Sequence, residues 1–159
     1  MHAYSIVTQR RLSMRNVELL SDTHCPHDID TLSHQLKALS DEQASSYEEP
    51  RRNEHSPTPW ILISGASAIS DRHDVIPQAL EKAGGTIIRC GIPVDPGNLL
   101  MLGEIGSSTV IGIPGCVRSP KLNGLDLFMD RLACNLPVNA DWINSLAIGG
   151  LMDEIIDRP

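Results

Sequence analysis

Aromatic side chains are nearly absent from this chain: two Trp, two Tyr and one Phe, 3% of 159 residues. The core must therefore be built mostly from small aliphatic side chains. Positive charge is also scarce. Thirteen Lys and Arg stand against twenty Asp and Glu, and the net charge of -7 leaves no electrostatic footprint for a polyphosphate backbone. No apolar run approaches the roughly 20 residues that span a bilayer, and no signal-peptide core opens the sequence. Cysteine is present only four times, at Cys25, Cys90, Cys116 and Cys134, without paired-ligand spacing. These read as reduced thiols of a cytoplasmic protein, not as a disulfide framework. With 41% hydrophobic residues, the length suits one domain with a small, mainly aliphatic core.

What is there concentrates in loops. Ile61-Leu62-Ile63 leads into Ser64-Gly65-Ala66-Ser67, then into Asp71, Arg72 and Asp74, which open an apparent helix. Such a strand-to-helix junction aims backbone N–H groups and a helix dipole at one spot, an arrangement suited to phosphate. The pattern recurs where Val110-Ile111-Gly112-Ile113 runs into Pro114-Gly115-Cys116-Val117-Arg118-Ser119-Pro120-Lys121. Between them lies Pro93-Val94-Asp95-Pro96-Gly97-Asn98, a loop stiffened by two prolines.

Along the chain, Tyr4–Val7 and Val17–Leu20 read as short strands, and Asp28 or Asp30 as the cap of a helix carrying Leu32, Leu36 and Leu39. Ser45–Pro59 reads as an exposed, mobile loop. Strands are expected at Trp60–Ile63, Thr86–Cys90 and Thr109–Ile113, and helices at Val75–Ala83, Leu99–Leu102 and Leu122–Asn135. Strands alternating with helices imply a three-layer α/β sandwich around a mainly parallel sheet, with ligands beyond the strand carboxyl ends. The domain is expected over residues 16–137, after a remnant or irregular segment 1–15 and before a tail or linker 138–159. The short N-terminal elements suggest truncation there.

Each candidate residue also has a plain structural role. Asp71 and Asp74 suit a hydrated Mg²⁺ or catalysis, and equally suit capping of the following helix. Asp95 suits a ligand and also a turn, and Asn98 an N-cap. Seven Lys and Arg occur from Trp60 onward; Arg72, Arg118 and Lys121 all fall at the expected ligand edge, which favours phosphate over scattered surface charge. His24-Cys25-Pro26-His27 lacks further ligands at metal-site spacing and reads as a turn. Cys116 has no visible His partner, which argues against nucleophilic catalysis.

Three segments, Gly65–Pro77, Pro93–Leu100 and Pro114–Gly124, resemble signatures of the molybdopterin-binding domain family of the MoaB/Mog type. They are most similar to a subgroup in which this domain precedes a molybdenum-cofactor nucleotidyltransferase domain. Cys25-Pro26-His27-Asp28 resembles that subgroup's upstream turn, and Ile148–Ile155 its connector. The resemblance covers roughly residues 16–155. It implies molybdopterin, or its nucleotide form, as ligand during molybdenum cofactor biosynthesis, with Mg²⁺ as a companion. Ser64, Gly65, Ala66, Ser67, Asp95, Pro114, Gly115, Arg118 and Lys121 would bind it, and Asp71 and Asp74 would hold Mg²⁺ and serve any catalysis. An active member would transfer a nucleotidyl group or insert molybdate. A binding module would present the pterin to a transferase, alone or as a homo-oligomer. The chain departs from the family in its short N-terminus, in the insertion at Ser45–Pro59, and in Pro-Gly-Cys where molybdate-inserting relatives carry Pro-Gly-Asn-Pro. The alternative function is a truncated, non-catalytic structural or oligomerisation domain.

Overall fold

Trp60–Ser64 forms strand β1 because its β-branched and aromatic residues suit a pleated surface with apolar packing on both faces. The computed structural model describes residues 3–46 and 58–148. In chain order the elements are α1 (Ala3–Ser13), α2 (Ile29–Ser46), β1, α3 (Val75–Lys82), β2 (Thr86–Cys90), β3 (Met101–Ile105), β4 (Ser108–Ile113), a 3₁₀ turn (Gly115–Arg118), α4 (Gly124–Ala133) and α5 (Ala140–Ser145). The chain is thus of the α/β class.

The four strands make one sheet in the order β1-β4-β3-β2. Only β1 and β4 pair in parallel; β3 is antiparallel to both β4 and β2. The expected mainly parallel sheet is therefore corrected to a mostly antiparallel one. The cause is Leu99–Leu102, read as a short helix, whose last residues instead open β3. A central strand buried on both faces shows a continuous apolar run, and periodicity cannot distinguish that from a buried helix. Met101, Leu102, Gly103 and Ile105 are all buried. Gly106 and Ser107 then return the chain directly into β4, with Gly106 at φ 56°. Glycine at the first position of a two-residue loop matches the hairpin turns that follow strand twist.

Strand alternation splits the core in two. Leu102, Ile111 and Ile113 face Leu125, Phe128, Met129 and Leu132 of α4, with Leu12 of α1 and Ile143 of α5. Their neighbours Met101 and Val110, with Ile61, Ile87 and Ile105, face Leu32 and Leu36 of α2 and Ile76, Ala79 and Leu80 of α3. Helices therefore cover both faces.

Near the start of the chain two strand expectations are corrected. Tyr4–Val7 lies within helix α1, and Val17–Leu20 has no regular structure. A four-residue window at Tyr4 cannot reveal that the helix runs on to Ser13, where Arg11 and Leu12 are buried. The α2 expectation holds, with Asp28 Oδ1 accepting from Thr31 N at 2.8 Å. Of the segment read as a mobile loop, Ser45 and Ser46 end α2, Thr58 and Pro59 lead into β1, and 47–57 lie outside the described residues. The end of the expected tail, 149–159, lies outside them too, and so does most of the connector at Ile148–Ile155. No helix among the described residues is long and apolar enough to cross a membrane.

Candidate functional site

The pairing directions bring three loops to one edge. Strand β1 is parallel to β4, and β2 lies two antiparallel steps from β4, so β1, β2 and β4 share one direction. The loops after each, 65–74, 91–100 and 114–123, leave from the same end of the sheet. Ser64 pairs in register with Ile113, so Gly65 and Pro114 start from adjacent positions. The ligand edge expected of a parallel sheet is thus assembled by a mixed one.

The first loop is organised by its own acids. Asp74 Oδ2 accepts from Ser70 N at 2.5 Å and Asp71 N at 3.0 Å. Asp71 Oδ1 accepts from His73 N at 2.6 Å. Asp74 occupies the N-cap position of α3, but its side chain caps no helix N–H. Capping was one expected role for this carboxylate; instead it folds back and holds the loop. These bonds use one oxygen of each carboxylate, that of exposed Asp71 and that of half-buried Asp74. Ser64, Ala66 and Ser67 are exposed, whereas Gly65 is half-buried. A Cβ at Gly65 would meet Ile76 Cδ1 at 2.9 Å and His27 Cε1 at 3.2 Å, so glycine is needed here to let those side chains pack against the backbone.

Hydrogen bonds from Asp71 N and then Ser70 N hold the Asp74 carboxyl below the usual carboxylate range, with the positive field of His27 adding to them. A group depressed in the folded state stabilises above its unfolded pKa, about 3.9 for Asp, and loses that contribution as pH falls through the folded value. The carboxyl carbon shift of Asp74 should therefore titrate below the ordinary aspartate value of about 3.9. An Asp74 carboxyl inflection at or above that value would contradict this loop architecture.

At the end of β2, burial pushes the half-buried Cys90 thiol up; Arg72 acts against that shift, and Glu81, Asp71 and Asp74 with it. Among the described residues no three His, Cys, Asp or Glu side chains gather as a metal cage. Asp71, Asp74 and Asp95 therefore do not form one carboxylate cluster. Two carboxylates suffice only for a Mg²⁺ that keeps its waters or takes phosphate oxygens.

The middle and third loops are joined. Gly124 N donates to Pro96 O at 2.8 Å, and a Cβ on Gly97 would lie 2.7 Å from Gly124 N. Asp95 is exposed on this joined segment. Asn98 caps no helix; its carbonyl accepts from Ile92 N at 2.9 Å and closes the loop. Asn123 caps α4 through Leu125 N, and Asp126 answers from N3 to Asn123 N in a capping box. Asn123 Nδ2 also donates to Cys116 Sγ at 3.1 Å.

In the third loop Pro114 is buried, Gly115 half-buried, and Arg118 and Lys121 are exposed. Arg118 Nε donates to Gly115 O at 3.3 Å. Arg11 of α1, absent from the sequence-derived site, fixes this loop from below. It donates to Asp126 Oδ1 at 2.9 Å, to Val117 O and Ser119 O at 2.9 Å each, and to Lys121 O at 2.8 Å. No local pattern marks an arginine whose partners lie over a hundred residues away. His27 was missed as well: its Nε2 stands 3.3 Å from Ser67 Oγ. The one available signal was the resemblance of its Cys-Pro-His-Asp turn to the family.

No family model, curated protein or solved structure matches this chain.

Proposed function

We propose that this chain binds molybdopterin or its nucleotide form during molybdenum cofactor biosynthesis. The observation that carries the reading is that the three loops resembling the family leave the same end of the sheet, the first beside the third and the third joined to the middle one. Their chemistry suits a phosphorylated pterin. Ser64, Gly65, Ala66 and Ser67 offer hydroxyls and backbone N–H groups, Pro114 and Gly115 begin the adjacent loop, and Arg118 and Lys121 bring cations to the rim. Asp95, on the loop joined to α4, is the acceptor proposed for pterin N–H groups. The carboxylates of Asp71 and Asp74 are proposed to hold a hydrated Mg²⁺ against the ligand phosphate and, in an active enzyme, to serve catalysis. Helices on both sheet faces agree with the three-layer MoaB/Mog-like arrangement. In this reading the protein works in the cytoplasm, where its four free cysteines stay reduced, and passes the pterin to a nucleotidyltransferase domain.

Calorimetric titration of the full chain with purified molybdopterin, with and without Mg²⁺, tests the reading. Saturable binding that Mg²⁺ strengthens is expected, and no heat under either condition refutes it. Arg118→Ala should weaken that binding by about 1.5–3 kcal/mol, the worth of a hydrogen bond to a charged group. Unchanged affinity would remove Arg118 from the site.

A further inference from the structure

The turn before α2 does more than connect elements. Asp28 caps the helix through Thr31 N, so the chain is anchored one residue after His27. That anchor sets the imidazole against the first loop. Its Nε2 lies 3.3 Å from Ser67 Oγ across forty residues of sequence, and its Cε1 stands 3.2 Å from where a Gly65 Cβ would be. Hydroxyl and imidazole thus share one exposed polar surface at the carboxyl end of β1.

A serine hydroxyl has one proton to give and two lone pairs to accept with. If Ser67 spends its proton on His27, it has none for a ligand. If His27 donates from Nε2–H, Ser67 accepts and its own proton turns outward. The surrounding side chains decide which direction is useful. Asp28, Asp71 and Asp74 crowd this end of the molecule with carboxylates, which are acceptors only. An anionic oxygen arriving here needs donors.

The geometry points to His27 as a positioning residue that donates to Ser67 Oγ and so turns the Ser67 hydroxyl proton toward a phosphoryl oxygen of the ligand. This deepens the proposed function and rests on its placing of the phosphate at the first loop. The same hydrogen bond explains why an imidazole is brought to this position from a distant turn: it has the length to reach Ser67 and an N–H to offer.

The test uses the full chain with Ser67→Ala, His27→Ala, His27→Gln and the Ser67→Ala/His27→Ala double variant. Inorganic phosphate is followed through the NMR shifts of amides 64–74, and molybdopterin by calorimetry. Each single alanine variant should bind both probes roughly ten- to hundredfold more weakly, the effect of one hydrogen bond to a charged acceptor. The double variant should be no weaker than Ser67→Ala alone, because His27 acts only through that hydroxyl. His27→Gln, which keeps an N–H donor, should recover most of the affinity, a rescue that a merely structural role does not predict. Thermal melts identify any variant that fails to fold; should His27→Ala be one, Ser67→Ala and His27→Gln carry the test. Wild-type affinity in His27→Ala or Ser67→Ala overturns the inference. So does a double variant whose loss is the product of the two single losses, or a glutamine variant no better than alanine. Phosphate binding that responds as expected, with no binding of molybdopterin, would leave His27 in place and remove the pterin reading. Molybdopterin binding indifferent to Ser67 would do the reverse, and a wild-type chain that binds neither probe overturns both.

Discussion

Arg11→Ala should destabilise the protein by about 3–5 kcal/mol, the range for breaking a buried, hydrogen-bonded ion pair by removing one partner. Arg11 is 5% exposed and Asp126 5% exposed, so the substitution leaves a buried carboxylate and the carbonyl of buried Val117 without that donor. The substitution strips Val117 O, Ser119 O and Lys121 O of a donor together. Asp126 keeps Asn123 N and a 3.2 Å contact with Arg15, which limits the loss at that end. Because Arg11 holds the segment that carries Arg118 and Lys121, ligand affinity should fall along with stability. Arg15→Ala is the comparison: its side chain is 12% exposed and it donates to Arg11 O and Asp126 O, but its closest partner, Asp130, is 58% exposed at the side chain, so its loss should be smaller, about 1–2 kcal/mol. Urea unfolding of both variants decides the matter. A loss of less than about 1 kcal/mol for Arg11→Ala would mean that α1 does not brace the third loop.

Gly97→Ala should cost about 2–5 kcal/mol, combining left-handed backbone strain with overpacking. Gly97 sits at φ 124°, where a side chain is disfavoured whatever the space around it. Its Cβ would also lie 2.7 Å from Gly124 N and 2.8 Å from Gly124 Cα, atoms of a helix start that cannot swing aside. Relief requires parting the middle loop from α4 and with it the 2.8 Å bond from Gly124 N to Pro96 O. Gly84→Ala isolates the backbone contribution. Gly84 has φ 90° but nothing within 4 Å of its missing Cβ, so that variant should lose only about 1–2 kcal/mol. Equal midpoints for the two variants in urea would show that the contact at Gly124 carries no energy. If the joined loops form the ligand site, Gly97→Ala should weaken molybdopterin binding and Gly84→Ala should leave it unchanged.

Much of the local structure was legible before any tertiary contact was known. Val75–Lys82 ends at Gly84-Gly85 because glycine accepts the left-handed turn, and Gly85 N closes on Leu80 O at 2.9 Å. The strands at Trp60, Thr86 and Ser108 announce themselves by β-branched and aliphatic runs. The helix of Leu32 and Leu36 announces itself by its spacing and its aspartate cap. The same local chemistry picked out three loops with glycine, hydroxyls and charges. Those are properties of neighbours in sequence, and sequence displays them directly.

What only the tertiary structure decided was direction and partnership. Whether Met101–Ile105 becomes helix or strand depends on having β2 and β4 on either side to satisfy its backbone N–H and C=O groups. That choice made the sheet mostly antiparallel, yet it kept β1, β2 and β4 pointing one way and so kept the loops together. The side chains that finish the site come from far away in the chain. Arg11 reaches loop 117–121 because burying a guanidinium demands several acceptors at once, and His27 reaches Ser67 because a helix cap fixes the turn that carries it. Composition and spacing hold no record of such pairings, because the partners become neighbours only when both faces of the sheet are covered.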